Sequence, residues 1–231
     1  MEAIRLEQVS KGFTLHLRGG IGLQVLRDLN LGVETGECVV LHGASGAGKS
    51  TILRCLYGNY RPDAGRVRVR SEAGLVDLAA ASPREILALR RTTLGYVSQF
   101  LRVVPRVPAI ELVMEPLLER GVTLVEARER SAAILDRLDI PARLWDLPPA
   151  TFSGGEQQRI NIARGLVAER PILLLDEPTA ALDAANRAAV VALIREAKAR
   201  GTTVVGVFHD REVREAVADR VLALEALEVA A

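Results

Sequence analysis

Aromatic side chains are scarce in this chain of 231 residues: four phenylalanines, three tyrosines and one tryptophan make up 3 % of it. Lysine is nearly absent, at Lys11, Lys49 and Lys198 only, so a lysine inside a motif carries weight. The two cysteines, Cys38 and Cys55, lie in no CxxC pair and beside no histidine cluster. That argues against a zinc module or disulfide framework and for two buried, reduced thiols. Long apolar runs are missing too. Stretches such as Ile172 to Leu175 fall far short of the roughly 20 residues that cross a bilayer. The opening MEAIRLEQVS carries Glu2, Arg5 and Glu7 where a secretory leader needs an apolar centre. The expectation is a cytoplasmic location and no membrane segment of the chain's own. Neither sign of charge dominates: 30 basic against 29 acidic side chains leave a formal +1. No overall basic field then drives counterion release from nucleic acid, and no nucleic-acid partner is expected.

What is present is a globular composition, 49 % hydrophobic and 26 % charged, without low-complexity tracts. A chain of this size buries about 70 to 75 % of its unfolded surface, and no linker divides it, so one domain over 1–231 is expected. Short runs rich in Val, Ile and Leu (Ile4 to Val9, Cys38 to His42, Val67 to Val69, Gly95 to Val97, Ile172 to Leu175, Thr203 to Val207, Val221 to Leu224) read as strands. Amphipathic segments at Leu124 to Leu138, Gln157 to Val167, Ala184 to Ala199 and Arg211 to Ala218 read as helices. Alternation of the two predicts an α/β fold with a mixed or parallel core sheet, and the strand-rich start up to about Val76 an antiparallel β layer beside it. The proline-punctuated middle reads as an inserted helical subdomain, approximately 100–165.

After the apolar run Cys38 to Leu41 comes Gly43-Ala44-Ser45-Gly46-Ala47-Gly48-Lys49-Ser50-Thr51, then the helix-like Ile52 to Tyr57. This is the strand, GxxxxGK[ST] loop, helix order of a P-loop. The glycines let successive backbone N–H groups turn inward onto phosphate oxygens, and the positive end of the helix adds to the attraction. Lys49 contributes a compact full charge for the outer phosphates. The Ser50 hydroxyl suits the octahedral shell of a phosphate-bound Mg²⁺. A P-loop alone leaves kinases, GTPases and motors open.

Two further stretches narrow the choice. Ser153-Gly154-Gly155 precedes a helix read as starting near Glu156, a second anion site if it is more than a capped helix. The apolar run Ile172 to Leu175 then delivers Asp176 and Glu177, one carboxylate placed for a metal and one for orienting a water. The segment Phe152 to Arg159 resembles the LSGGQ motif of the ABC family, and Asp176-Glu177 resembles its Walker B aspartate and general base. The remaining family positions fall in order over Phe13 to His209. Gln99 matches the Q-loop, Ala181-Leu182-Asp183 the D-loop, His209 the H-loop, and Phe13 the aromatic that stacks on adenine. The resemblance implies a P-loop NTPase of the ABC nucleotide-binding-domain type, with ATP and Mg²⁺ as cofactors. Glu177 and His209 would be catalytic, Ser50, Gln99 and Asp176 would hold the metal, and Phe13, Gly43, Ser45, Gly46, Gly48, Lys49, Ser50, Thr51, Gln99, Ser153, Gly154, Gly155 and Asp183 would contact nucleotide. It implies a head-to-tail homodimer or ABC heterodimer, Ser153 and Gly155 of one subunit closing the other's site. Phe152, Glu156 and Ala181 depart from the usual leucine, glutamine and serine, while Ser153 to Gly155 remain.

Only fifty-four positions separate Gln99 from Ser153, too few for the coiled coils of repair ATPases. Leu41 to Gly43, Leu56 to Asp63, Val97 to Val103, Thr151 to Glu156 and Gly206 to Asp210, several of them outside the nucleotide site, resemble the L-subunit family of the bacterial carbon-phosphorus lyase system. That resemblance implies support of ribose 1-methylphosphonate 5-triphosphate formation from ATP and methylphosphonate, beside soluble carbon-phosphorus lyase subunits that include a second ABC-type subunit. The alternative is the ATPase subunit of a membrane transporter of the lipoprotein-release type. In either case the surface of Leu101, Val104 and Pro105 is expected to meet a partner.

Overall fold

The computed structural model describes residues 1–15, 21–101 and 105–227, so Val104 of that expected surface, with Arg102 and Val103, lies outside the described residues. Two sheets and a helical layer make up the fold. The first sheet has the order β2-β1-β4-β5, all antiparallel, from β1 (Glu2–Leu15), β2 (Ile21–Glu34), β4 (Ala64–Ser71) and β5 (Gly74–Asp77). The second is wholly parallel, in the order β6-β7-β8-β3-β9, from β3 (Cys38–Gly43), β6 (Leu94–Val97), β7 (Ile172–Asp176), β8 (Thr203–Val207) and β9 (Arg220–Leu224). This is the α/β architecture with an antiparallel layer that the alternation called for.

β2 was not legible as a strand because its alternation slips. The β1–β2 ladder shifts register between Leu6 and Val9 and again around Lys11, and Gln8 and Asp28 stand at φ +49° and +47°. Ser10 bridges the irregularity, its Oγ accepting from Asp28 N at 2.9 Å. An extra residue of this kind flips the following side chains to the other face and hides the period of two.

The helices are α1 (Lys49–Leu56), α2 (Pro83–Thr92), α3 (Ala109–Leu118), α4 (Leu124–Arg137), α5 (Ala142–Trp145), α6 (Gly154–Leu166), α7 (Ala184–Ala199) and α8 (Arg211–Val217). All of α3 to α6 falls between β6 and β7, and α3 continues two residues beyond its internal Pro116. The parallel strands β7 and β8 are buried on both faces, and their side chains divide between two cores. Leu173 and Leu175 join Val113, Leu135 and Ile160 under the helical layer; Ile172 and Leu174 join Ile4, Leu6 and Ile52 under the antiparallel sheet. Truncating Leu174 to alanine removes core contacts worth about 2–5 kcal/mol. Cys38 belongs to the first core and Cys55 to the second, both free, and burial pushes their thiols up to about 12 and about 11. They are inert core residues, as the sequence suggested. Among the described residues no helix is long and apolar enough to cross a membrane.

Candidate functional site

Strand order decides what meets what. Because β8 lies between β7 and β3, the loops leaving the carboxyl ends of all three open on one edge of the sheet, where parallel α/β sheets hold their ligands. The loop after β3 carries the phosphate motif. Gly46 and Gly48 have φ of +83° and +86°, and a Cβ on Gly48 would stand 2.6 Å from Leu26 Cδ2, so glycine is required there for backbone and space alike. Gly48 also caps α1 without a side chain, leaving the first-turn N–H groups of the helix free to point at an anion.

Lys49 is buried, and its Nζ donates to the Gly43 and Ala44 carbonyls at 2.8 and 2.7 Å. Among the described residues it has no carboxylate partner, so a full positive charge is held in the loop by neutral acceptors alone. That is an arrangement suited to phosphate. Ser50 Oγ donates to Asp176 Oδ1 at 2.9 Å across the cleft, and Tyr96 donates its hydroxyl to Asp176 Oδ2 at 3.1 Å. Hydroxyl and carboxylate oxygens thus converge from the start of α1 and the end of β7. They form a hard-oxygen set that fits Mg²⁺ shared with phosphate oxygens and water, a cation for which one or two protein ligands suffice.

Glu177 follows directly at φ +52°, strained for a side chain with a Cβ. Its backbone N–H is tied to the Val207 carbonyl at 3.1 Å, which aims the side chain out of the sheet edge. There Oε1 meets His209 Nε2 at 2.7 Å and Oε2 accepts from Gln99 Nε2 at 3.1 Å. The carboxylate is 17 % exposed and the imidazole 64 %. Ser45, Gly46, Gly48, Lys49, Ser50, Thr51, Glu177 and His209 line one cavity of about 310 Å³ with Leu23 and Val25 of β2. Gln99 and Asp176 adjoin it through Glu177 and Ser50.

The other expected contacts stand elsewhere. Ser153 is the exposed N-cap of α6, which begins at Gly154, two residues earlier than expected near Glu156. Ser153 Oγ accepts from Glu156 N at 3.3 Å while Glu156 Oε2 accepts from Ser153 N at 2.8 Å. The glutamate that departs from the family pattern therefore completes a capping box. The Ser153 hydroxyl and then its backbone N–H hold the Glu156 carboxyl below the usual range. Nothing lies within 4 Å of a Cβ placed on Gly154, and a Cβ on Gly155 would meet only the Ala181 carbonyl at 3.2 Å. Asp183 caps α7, accepting from Asn186 N at 2.8 Å, and this backbone donor chiefly lowers its pKa. Neither Ser153 nor Asp183 lines the phosphate cavity. Phe13 does not line it either: it packs edge-on against Tyr60, centroids 5.2 Å apart, and stands opposite Leu23 in the β1–β2 ladder.

Several supporting residues were not anticipated. Gln158 and Asn161 are buried on α6 and donate to the Pro178 and Ser98 carbonyls at 3.1 and 2.6 Å, tying the helix to the loops that carry Glu177 and Gln99. Leu23 and Val25 reach the cavity from a strand the sequence hid. No local signal marks these residues, since each acts through a partner far along the chain.

The geometry agrees with comparisons to known proteins. Residues 26–180, more than half of the chain, match the family model described as ABC transporter. The lipoprotein-releasing system ATP-binding protein LolD of Saccharophagus degradans is 39% identical over 208 residues, covering 90% of this chain and 88% of its own. The macrolide export ATP-binding/permease protein MacB of Brucella abortus is 40% identical over 219 residues, which are 95% of this chain and 32% of MacB. The chain thus spans about a third of that relative. A dimeric structure of a post-hydrolysis state of the ATP-binding cassette MJ0796 bound to ADP and Pi superposes with a TM-score of 0.87 at 30% identity, covering 97% of each chain. These relatives carry transporter names, and none of them supports the resemblance to the carbon-phosphorus lyase system. The loop around Lys49, the Asp176–Glu177 strand end and the two-sheet fold that joins them place this chain in the ABC family of ATP-binding, ATP-hydrolysing domains.

Proposed function

We propose that two ABC subunits, two copies of this chain or one copy and a second ABC-type chain, close head to tail around ATP. Hydrolysis then drives a partner seated on the helical layer. The contrast between a Glu177 carboxylate already bonded to Gln99 and His209 and a Ser153 helix start with nothing packed on Gly154 carries this reading. Each chain supplies one finished half-site and one half-site for its neighbour. In the closed pair the Lys49 ammonium and the loop N–H groups hold the β- and γ-phosphates, with Ser50, Asp176 and Gln99 as the residues to hold Mg²⁺. That cation, when bound, offsets charge developing on the phosphates. Glu177 orients the attacking water and accepts its proton, and His209, hydrogen-bonded to the same carboxylate, lies toward the γ-phosphate. Ser153 and Gly155 of the other subunit cover the outer phosphate, Asp183 borders that joint, and Phe13 lies at the adenine end beyond Leu23.

The relatives favour a membrane permease of the lipoprotein-release or export type as the partner. A second reading, a soluble carbon-phosphorus lyase complex forming ribose 1-methylphosphonate 5-triphosphate, draws on Leu56 to Asp63, a segment outside the phosphate cavity. Affinity purification of the full chain with mass spectrometry, from cells grown on a phosphonate as sole phosphorus source, separates the two. Recovery of a permease supports the transporter reading; recovery of soluble lyase subunits overturns it in favour of the second. Loss of turnover in Glu177→Gln with ATP binding kept supports the shared ATPase mechanism, and turnover at the wild-type rate refutes it.

A further inference from the structure

A second cavity of about 260 Å³ opens between α2, the outer edge of β6, α3 and α6, away from the phosphate loop. Its charged lining is Arg90, Arg91, Arg164 and Arg170 against Glu115 and Glu119. Arg164 is paired with Glu115. Arg90 spends its hydrogen bonds on neutral acceptors, the Tyr57 carbonyl at 3.0 Å and Asn59 Oδ1 at 2.7 Å, with its guanidinium 4.4 Å above the Tyr57 ring. Arg91 has no ion pair among the described residues.

Arg170 is the unusual member. It is 8 % exposed, and its Nε is buried without a hydrogen-bond partner among the described residues. Its stem crosses the β6 edge beside Gly95, where an added Cβ would meet Arg170 Cδ at 3.6 Å and the Gly165 carbonyl at 3.2 Å. A guanidinium carried this far out of water with no close ion pair among the described residues is unfavourable, and although Glu119 offsets part of the cost, burial is the main influence pulling its pKa below the usual arginine value. Four guanidiniums against two carboxylates leave two positive charges in excess.

We propose that this arginine-lined cavity is a binding site for a compact oxyanion of the phosphate class, with Arg170 and Arg91 as its principal donors. Guanidinium forks match tetrahedral oxyanions bidentately, and the excess of two charges matches a dianion. The volume accommodates a phosphate and a few waters, each taking about 30 Å³. An anion there stands one side chain from the nucleotide site, because Tyr96 both lines the cavity and donates its hydroxyl to Asp176.

The test titrates the full chain, its phosphate loop saturated with ADP, with inorganic phosphate by calorimetry. Saturable binding is expected, weakened about tenfold or more in Arg170→Leu and measurably in the exposed Arg91→Ala, with ADP affinity unchanged in both. The Arg91 variant keeps the test decisive should Arg170→Leu fail to fold. Absence of phosphate binding, or binding equally tight in the variants, overturns the proposal, since phosphate held at the nucleotide site is indifferent to these residues. A glutamate-rich peptide that binds in an Arg170-dependent way where phosphate does not overturns it as well, and makes the cavity a seat for a protein carboxylate.

Discussion

Two glycine-bearing helix starts in this molecule differ in capping and in context: α1 has no side-chain cap, while α6 carries the Ser153–Glu156 box. At α1 the helix start shares one cavity with Lys49, Ser50, Glu177 and His209, and Asp176 adjoins it through Ser50. At α6 the helix start stands exposed, and among the described residues the Ser153 side chain hydrogen-bonds only with Glu156. The first arrangement gathers a phosphate loop and its carboxylates within one chain, while the second is proposed to act when a second subunit arrives. On the proposed head-to-tail reading, the fold holds half a reaction ready and takes the rest from a second subunit, which would couple chemistry to association.

The comparison is broken most severely by removing the base. Glu177→Gln is expected to lower ATP turnover about 10²- to 10⁴-fold with nucleotide affinity retained, read by steady-state hydrolysis beside equilibrium binding. Wild-type turnover would remove Glu177 from the chemistry. Next in size, Lys49→Ala takes the one ammonium from the loop and should weaken ATP binding by on the order of 10²-fold, measured by calorimetry. Unchanged affinity would mean that the backbone cradle suffices.

Mixing experiments sharpen the contrast between the two helix starts. Lys49→Ala and Ser153→Tyr are each expected to be inactive alone. Combined, they should regain roughly a quarter of wild-type turnover, because half of the dimers are mixed and each mixed dimer has one intact composite site. No rescue would mean that Ser153 does not act across a dimer.

The smallest effect concerns acid. Glu156 has a folded pKa below its unfolded value, so the capping box contributes at neutral pH and its contribution fades as pH falls through that depressed value. Glu156→Gln keeps an acceptor for the box without the titration. Its thermal midpoint should fall slightly less than that of the wild type between about pH 6 and pH 3, with turnover preserved. A steeper fall in the variant would contradict the capping assignment.

Much of this was legible because it is local. Gly46, Gly48 and Lys49 are fixed by what a phosphate loop needs of the backbone, and Asp176-Glu177 by an apolar strand ending in two carboxylates. The Ser82-Pro83-Arg84-Glu85 start of α2 carries an equally local signal, and its capping box is complete in the structure. β2 was not readable, because its bulges erase the alternation that marks a strand. Tyr96, Gln158 and Asn161 were out of reach for another reason: their partners Asp176, Pro178 and Ser98 are distant in sequence, and nothing in their own neighbourhood names those atoms.

By itself the sequence determined the phosphate loop, the alternation that gives a parallel core and the order of the family motifs, since each depends on backbone conformation and side-chain type within a few residues. Tertiary structure alone decided that β8 sits between β7 and β3. That strand order brings Glu177 to His209 at 2.7 Å and Ser50 to Asp176 at 2.9 Å, and leaves Ser153 facing outward. Local propensity cannot specify such placements, because they follow from which apolar faces bury one another across the two cores.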